Sequence, residues 1–295
     1  IFMLRNLKTT ILSISCLSLS ACVSINEKNE YISNASAIQE TLPSCEPGTD
    51  QIQANKVTTV YKQQAVIEHS LDPDNITFLN WNIYKGNGEN WQQDLSAFAN
   101  THSVMAIQEA SLHEDLNVFL EDSQYSWVMN TAFHIDGAAT GVMNVASAKA
   151  IHSCGFKSME PLIRIPKSTL VSYYNIHGSA EKLLVANIHG INFTFGNESY
   201  GQQLEALYEA VKYHDGPMIV AGDFNSWSES RLELVDELIE RLSLSRLEYT
   251  VNNKTHIFGN AIDHVFYRQL QLVSKQVWQV SSSDHNPISV TFKFL

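Results

Sequence analysis

Residues 218–225 read MIVAGDFN, an apolar run followed directly by glycine, an acid, an aromatic residue and an amide. The run Met218–Ala221 is apolar without alternation, which is typical of a strand buried on both faces. The polar residues Asp223 and Asn225 then fall at the carboxyl end of this strand, where loops of α/β proteins carry functional groups. We therefore predict an α/β fold with a site at the end of this strand.

The same kind of segment recurs along the chain. Apolar runs rich in β-branched and aromatic residues predict further strands at 76–79, 104–107, 169–174, 183–188, 265–267 and 288–292. Helical periodicity lies between them at 91–98, 116–120, 204–211 and 232–242. Because each helix must bury one stripe and each sheet needs cover, we predict a four-layered α/β sandwich, with two central mixed sheets face to face and helices outside.

Polar residues flank the predicted strands at their ends, and these ends would form one rim if they converge. The rim would combine carboxylates, amides and imidazoles. Carboxylate and amide oxygens are the ligands that Mg²⁺ prefers, and such groups can also activate water for phosphoester hydrolysis. The chain has no Cys/His cluster for zinc and no Gly-x-x-x-x-Gly-Lys loop for nucleotide phosphates. The residues concerned are Asn82, Glu109, His189, Asp223, Asn225, Asp263, Asp284 and His285.

Six short motifs contain these residues: Asn80-Trp81-Asn82, Gln108-Glu109, Asn187-Ile188-His189, Gly222-Asp223-Phe224-Asn225, Ile262-Asp263-His264-Val265 and Ser283-Asp284-His285. Their order and rough spacing over residues 70–295 resemble the endonuclease/exonuclease/phosphatase superfamily, which has the DNase I-like fold. Each motif alone is weak, but the ordered set is specific. Stretches 160–168, 187–193 and 222–227 are similar to a YafD-like bacterial branch of this superfamily, which brings no settled substrate.

The resemblance implies a phosphoesterase that depends on Mg²⁺ or Mn²⁺, acting on phosphodiesters as a nuclease or a phospholipase C-like enzyme. Asn82 and Glu109 would hold the metal, and Asp284 would be a further ligand or support one. The family's usual Ser-Arg before its phosphate-side loop reads Ala148-Lys149 here. This departure puts a basic phosphate clamp at that position in doubt.

The resemblance also implies the catalytic groups. Asp223 would orient or deprotonate the attacking water, and Asn225 would donate to a phosphate oxygen. Asp263 would fix the tautomer of His285. It would also favour the protonated form of His285, the imidazolium, which would face the phosphate. His189 would be a second phosphate-side imidazole.

Each role has a structural alternative. Asp223 and Asn225 could form an Asx turn and cap a helix beginning near Ser228. A strand-end His189 is commonly a satisfied structural histidine, and Asp263 could be a turn residue. Asn82 could cap the loop at 85–88.

The N-terminal segment predicts export. Basic residues precede the apolar stretch at 11–19, and Leu19-Ser20-Ala21-Cys22 resembles a bacterial lipobox. We expect a lipoprotein signal peptide at 1–22, lipidation of Cys22, a flexible tether at 23–44 and the catalytic domain at 45–295. The location would be the periplasmic side of the cell envelope, with the outer membrane favoured. An ordinary signal cleavage site is the alternative to the lipobox. If the signal segment is an artefact of a wrong start codon, the protein would instead be a cytoplasmic DNA-repair nuclease of the same superfamily.

Two further cysteines, Cys45 and Cys154, remain after Cys22 and the signal residue Cys16 are set aside. Disulfides persist in exported proteins, so we predict that these two pair. Two separate buried thiols are the alternative.

The chain carries 19 Lys and Arg against 31 Asp and Glu, a formal net charge of −12. This charge repels extended phosphate backbones on average and mildly favours phospholipid head groups or small phosphate esters over nucleic acid. We expect a monomer that reaches the membrane through Cys22. A non-catalytic envelope lipoprotein that keeps the fold as a binding module is the competing class.

Overall fold

The computed structural model describes residues 22–26, 30–33, 36–41, 45, 70–122, 124–249 and 252–295. The strands are β1 Val23–Ser24, β2 Glu30–Ser33, β3 Ser36–Thr41, β4 Ile76–Asn82, β5 Val104–Ser111, β6 Ser126–Ile135, β7 Ala138–Ala146, β8 Ala150–Met159, β9 Pro166–Asn175, β10 Lys182–His189, β11 Met218–Asp223, β12 Ser245–Arg246, β13 His256–Ile257, β14 Asn260–Ala261, β15 Asp263–Arg268, β16 Leu270–Val277 and β17 Ile288–Phe294. The helices are α1 Trp91–Ala99, α2 Glu114–Asp122, α3 Glu198–Val211 and α4 Glu229–Arg241, and a 3-10 turn lies at Tyr84–Gly86.

Two large mixed sheets form the centre of the molecule. The first sheet has the order β16-β17-β4-β5-β7-β6-β2-β3, with β1 also paired to β6. The second sheet has the order β12-β15-β11-β10-β9-β8. One pair in each sheet is parallel, β4 with β5 and β10 with β11, and antiparallel neighbours flank both pairs. The two parallel pairs carry four of the predicted site residues, Asn82, Glu109, His189 and Asp223.

The sheets pack face to face, which explains why their strands lack alternation in the sequence. In β4, Phe78 points into the core between the sheets, whereas Leu79 and Trp81 point outward into a second core. Both faces of a central strand are therefore apolar, as expected when each face is covered. The core between the sheets includes Ile76, Ala106, Val185, Ile219, Val265 and Val290.

Helices cover the outer faces. The buried stripe of α1, with Trp91, Leu95 and Phe98, packs on the outside of the first sheet together with α2. Helices α3 and α4 cover the second sheet through a separate apolar core. Helix α4 begins at Ser228, whose side chain accepts a hydrogen bond from the Arg231 amide. The predicted four-layered α/β sandwich is thus confirmed.

The structure differs from the prediction at residues 23–44. Strand β2 pairs with β6 and β3 pairs with β2, so these segments extend the first sheet. The prediction of a free tether was therefore wrong for these strands. Polar composition indicated a tether, but an edge strand is held by backbone hydrogen bonds, which polar side chains do not prevent.

The predicted signal segment, up to residue 21, lies outside the described residues. Cys22 is described, and its thiol is free and exposed. Within the described part of the chain, no helix has both the length and the apolar character needed to cross a membrane.

Cys45 and Cys154, the predicted pair, form a disulfide that joins positions 109 residues apart. Cys154 lies in β8 and is buried in the core under α3 and α4, with Cys45 packed against it. The bridge therefore fastens the N-terminal part of the chain to the edge of the second sheet.

Replacement of this bridge, Cys45→Ala, is expected to lower the free energy of unfolding by about 2–5 kcal/mol. Closing a loop of this length restricts the unfolded chain, and the variant loses that restriction. Urea unfolding with and without dithiothreitol measures the effect. Dithiothreitol should lower the urea midpoint of the wild type to that of the variant. It should leave the midpoint of the variant unchanged. Equal midpoints under oxidising conditions would contradict the expectation.

Candidate active site

The register of the sheets brings the predicted strand ends to one edge. Asn82 is the last residue of β4 and lies opposite Gln108 of β5. In the second sheet, Asp223 at the end of β11 lies between His189 of β10 and Asp263 of β15. Since the sheets stack face to face, these ends face each other across the sandwich.

A buried polar layer lies beneath this edge and ties the two sheets together. The amide of Asn187 in β10 donates to the backbone carbonyls of Ile107 and Met143 in the first sheet, at 3.1 and 3.0 Å. The Gln108 amide donates to the side-chain oxygens of Asn80 and Asn187, at 2.9 and 2.8 Å. Such a network fixes the relative position of the sheets, because each buried polar group needs its partner.

Asp223 lies at the centre of the site and is buried. Its Oδ1 accepts a hydrogen bond from the Asn225 amide at 2.9 Å, and its Oδ2 accepts one from Asn82 Nδ2 at 3.1 Å. The same Oδ2 lies 3.5 Å from His189 Nε2 and 3.8 Å from His285 Nε2. Burial raises the pKa of Asp223 to about 6, against the lowering effect of the His285 charge. A carboxylate with such a pKa can accept a proton near neutral pH.

Asp223 does form an Asx turn, and this turn uses only one of its two carboxylate oxygens. Oδ1 of Asp223 forms that turn with the Asn225 amide, while Oδ2 faces the histidines. The cap of helix α4 is Ser228 rather than either of these residues. Asn225 has a φ of 49° and donates its side-chain amide to the Gly190 carbonyl at 3.0 Å. Its left-handed backbone turns the loop back toward the site.

His285 and Asp263 form a buried hydrogen-bonded pair. His285 Nδ1 donates to Asp263 Oδ2 at 2.8 Å, which directs Nε2 toward Asp223. Burial alone would lower the pKa of His285, but the carboxylates of Asp263 and Asp223 outweigh it and raise the pKa to about 10. His285 is therefore an imidazolium at neutral pH, with its second N–H directed at the cluster.

His189 has the opposite character. Burial, together with the positive charges of Lys167 and His285, lowers its pKa well below the ordinary value, so this histidine is neutral. Lys167 Nζ donates to His189 Nε2 at 2.9 Å, which places the proton of His189 on Nδ1. Lys167, at the start of β9, thereby brings a positive charge into the site. Sequence analysis missed it, although it lies within the stretch 160–168 that carried part of the resemblance.

Glu109 reaches the site from the first sheet through a bulge. The β5–β7 ladder shifts register between Ile107 and Ala110, and Glu109 has a φ of 52°. Bulges of this kind redirect a side chain at the edge of a sheet. One carboxylate oxygen contacts the Lys85 ammonium, and the other lies 3.8 Å from His189 Nε2. Lys85 was also missed by the sequence analysis.

The donor set fits a hard divalent cation at Glu109. This carboxylate is partly exposed, faces the cluster and is balanced here by the Lys85 ammonium, which shows that the position accepts a positive charge. Asp223, Asp263 and His285 also lie close enough to share an ion. However, an imidazolium that donates to Asp263 cannot be a metal ligand, so these three residues do not form a donor set for an ion as they stand.

The two other predicted ligands lie differently. Asn82 uses Oδ1 to accept the Tyr84 amide at 3.1 Å and Nδ2 to hold Asp223, so it orients the carboxylate. Asp284 is exposed, and its carboxylate accepts a hydrogen bond from Ser283 Oγ at 3.4 Å. Its charge contributes to raising the pKa of His285.

The buried guanidinium of Arg231 holds the loops that carry the site. It donates to the backbone carbonyls of Ile191 and Asn225, at 2.7 and 2.8 Å, and to that of Asn192 at 3.0 Å. The rings of Tyr200 and Trp227 enclose it, each centroid 4.4 Å away. The loops after β10 and β11 are thus fastened to helix α4. The sequence offered no signal for this contact, since Arg231 occupies an ordinary position in an amphipathic helix.

Arg231→Met is expected to lower the free energy of unfolding by about 3 kcal/mol or more and to reduce turnover. The substitution leaves three buried carbonyls without their charged donor. Urea unfolding measures the loss. Arg241→Met is the matched control, since its exposed pair with Glu205 contributes roughly 0–1 kcal/mol. Equal stability of the two variants would contradict the role of Arg231.

Comparison with known proteins supports this fold. Residues 79–285 match the model of the Endonuclease/Exonuclease/phosphatase family. A UPF0294 protein of Vibrio campbellii is 43% identical over 235 residues, covering 79% of this chain and 81% of that protein.

Two solved structures share the fold. The human Nocturnin catalytic domain, with a bound sulfate anion, has a TM-score of 0.58 at 17% identity and covers 77% of this chain and 97% of that one. A mannosyl-6-phosphatase of Bacteroides thetaiotaomicron has a TM-score of 0.57 at 16% identity. The match covers 74% of this chain and 100% of that one.

The family match indicates a protein of the phosphoester hydrolase class. The chain belongs to the Endonuclease/Exonuclease/phosphatase family, and its UPF0294 relatives form a bacterial branch of it. Enzymes of this family typically depend on a divalent metal.

Proposed function

We propose that the protein is a Mg²⁺- or Mn²⁺-dependent phosphodiesterase that hydrolyses its substrate by attack of water. One observation carries the proposal: the Asp263–His285 pair, Asp223 and Glu109 lie together at one edge of the sandwich. This combination provides an acceptor for a proton, a fixed positive donor and a carboxylate for a cation.

Asp223 is the group that accepts the proton of the attacking water. Its Oδ1 is held by the Asn225 amide and its Oδ2 by Asn82, so the carboxylate has one orientation. A carboxylate fixed in this way positions a water without reorganisation when the reaction begins. The Asn225 side chain, on the same loop, donates to the Gly190 carbonyl, and in this proposal its second amide hydrogen orients a phosphate oxygen.

His285 stabilises negative charge on the phosphate. Asp263 holds its Nδ1–H, and the N–H at Nε2 points into the cluster. Lys167 adds a second positive donor, and the neutral His189 holds it by accepting its hydrogen bond at Nε2, 3.5 Å from Asp223 Oδ2. Preorganised donors of this type are worth about 10²–10³ in turnover each.

Glu109 is the residue that would hold the cation. The resemblance also assigns Asn82 and Asp284 to the metal, but the Asn82 oxygen accepts the Tyr84 amide here and Asp284 is exposed. A bound Mg²⁺ or Mn²⁺ supplies charge neutralisation of the phosphate oxygens. Carboxylate and amide oxygens suit these ions, which retain several waters and need few protein ligands.

Hydrolysis of bis(p-nitrophenyl) phosphate tests this function. We expect release of p-nitrophenol with Mg²⁺ or Mn²⁺, loss of activity with EDTA, and recovery when the ion is added back. Absence of turnover of this diester and of p-nitrophenyl phosphate with either ion would contradict the proposal. That result would favour the alternative of a non-catalytic binding module.

The cellular location is a separate part of the proposal. The lipobox-like sequence at Cys22 supports an exported lipoprotein that faces the periplasm. Incorporation of labelled palmitate into the wild type but not into Cys22→Ala would support it. Labelling of neither protein, with the chain in the cytoplasm, would contradict it.

A further inference from the structure

Three segments at the edge that carries the site expose large apolar side chains to solvent. Phe195 and Phe258 are 87% and 85% exposed, and Phe193 is 51% exposed. Leu162 and Ile163, in the loop between β8 and β9, are each 46% exposed. We call these five residues the apolar rim. Exposure of this much apolar surface in a soluble domain marks an interaction surface.

The apolar rim is continuous and fixed to the core. The buried Glu160 carboxylate accepts the backbone amides of Asn192 and Phe193, at 2.6 and 3.4 Å, which joins the first two segments. Trp227 donates to the Asn192 side chain at 3.0 Å and packs against Phe258, with 6.0 Å between ring centroids. The exposed rings are thus presented by a rigid base.

The charge of these segments contrasts with that of the chain. Segments 160–165, 190–197 and 253–261 contain one acid, Glu160, which is fully buried, and the exposed Glu198 follows the second segment. Arg164 is exposed beside Leu162 and Ile163. In a chain of net charge −12, the exposed Arg164 beside two of the apolar side chains is complementary to phosphate-bearing head groups.

Cys22 lies at the same edge of the sandwich. Its backbone N–H donates to Asp136 Oδ1 at 2.9 Å, in the turn between β6 and β7. The turn lies at the same end of the first sheet as Glu109, because Ser111 at the end of β5 pairs with Thr140 near the start of β7. Lys157, near the end of β8, donates to the Asn26 carbonyl at 3.0 Å, so residues 22–26 lead from the first sheet toward the second. The chain therefore enters the domain on the side of the apolar rim.

We propose that the apolar rim docks on a phospholipid bilayer and holds the active site against the head groups, so that the substrate class is the phosphodiester of a phospholipid. The substrate class rests on the proposed function, whereas docking stands on the rim itself. Aromatic and aliphatic side chains bind the interfacial layer of a bilayer, and a nearby lipid anchor adds to this binding. The site then faces lipid phosphate at high local concentration.

Docking is tested with full-length protein in vesicles of phosphatidylethanolamine and phosphatidylglycerol that contain bromine-labelled acyl chains. One variant carries Phe195→Trp at the apolar rim. The matched control carries Tyr213→Trp, an exposed aromatic position that precedes β11 at its opposite end. We expect quenching of the Phe195→Trp emission, relative to the parent, several-fold greater than that of the control. Equal quenching at both positions, or none at either, would overturn docking.

The substrate class is tested with Phe193→Ala/Phe195→Ala. Its hydrolysis of phospholipid in the same vesicles should fall about ten-fold or more, since two large rings no longer bind the interface. Its turnover of soluble bis(p-nitrophenyl) phosphate should match the wild type, and Tyr213→Ala should match on both substrates. Equal loss on both substrates would place the rings in the site and overturn the inference.

The outcomes separate the two proposals. Hydrolysis of the soluble diester without bilayer quenching would leave the proposed function standing and reject docking. Quenching at position 195 without hydrolysis of any diester would leave docking standing and reject the proposed function.

Discussion

Asp223→Asn is expected to lower kcat for diester hydrolysis by about 10²–10³-fold or more while the protein remains folded. The substitution removes the negative charge of the carboxylate oxygen that faces His189 and His285. It therefore removes the group that accepts a proton from the attacking water. The amide keeps the shape of the carboxylate and one oxygen for the Asn225 amide. Initial rates at saturating substrate measure the loss.

The free energy of unfolding of Asp223→Asn shows whether its loss of activity comes from a lost catalytic group or from a less stable fold. Burial raises the pKa of Asp223 from 3.8 to about 6, so the folded state disfavours its ionised form. The group therefore contributes stability that is present below pH 3.8 and is lost as the pH rises through about 6. An uncharged Asn avoids this loss, and we expect urea unfolding at pH 7 to show no decrease beyond about 1 kcal/mol.

Asp215→Asn is the matched control for Asp223→Asn. Asp215 is exposed and precedes β11 at the end remote from the site. Full activity in the control and near-complete loss in Asp223→Asn are expected. Retained turnover in Asp223→Asn would contradict the role given to this carboxylate, as would parallel losses of activity and stability.

Asp263→Asn has the second largest expected effect, a loss of about 10²-fold in kcat/KM at neutral pH together with a changed pH profile. The charge of Asp263 is a main reason that the pKa of His285 is raised to about 10. A raised pKa keeps the imidazolium up to that pH, so wild-type activity should decline only as the pH approaches 10. Without the charge, the imidazolium is lost at a lower pH.

The pH profile of kcat/KM distinguishes this effect from a general loss of structure. The alkaline limb should move to lower pH by more than a unit in Asp263→Asn, and Asp263→Glu should restore part of it. Asp236→Asn, which removes an exposed partner of Arg246, should leave the limb in place. An unchanged limb with uniformly lower rates would show that Asp263 only supports the fold.

The architecture was predictable because buried strands and amphipathic helices leave strong periodic signals. Strand β4 was predicted from its apolar residues, and helix α1 from the spacing of Trp91, Leu95 and Phe98. Strands β2 and β3 were not predicted, since they are short, mix polar and apolar residues without alternation, and depend for their pairing on the edge of β6. The sequence carries no comparable signal for backbone pairing at an edge.

The site was predictable where polar residues follow or precede a buried strand. His189, Asp223 and Asp263 occupy such positions and meet in neighbouring strands. The spatial order of those strands does not follow from the sequence, so distances between groups could not be derived. The prediction for Asp284 shows this limit, because the neighbouring His285 points inward while Asp284 is exposed.

The missed residues are cations that act across long sequence separations. Lys85 meets Glu109, Lys167 meets His189, and Arg231 meets the loop carbonyls at 191 and 192. A lysine or arginine on a half-buried segment resembles a surface residue in sequence. Only the three-dimensional packing brings its charged end to the site.

Binding of Mn²⁺ to the wild type and to Glu109→Gln, measured by calorimetric titration, tests whether Glu109 holds a cation at this site. We expect binding to the wild type and at least about ten-fold weaker binding to the variant, since a carboxylate is the main hard ligand. Glu198→Gln, an exposed acid at the start of α3, should bind as the wild type does. Equal affinity of Glu109→Gln and wild type, or no binding to the wild type, would contradict the account.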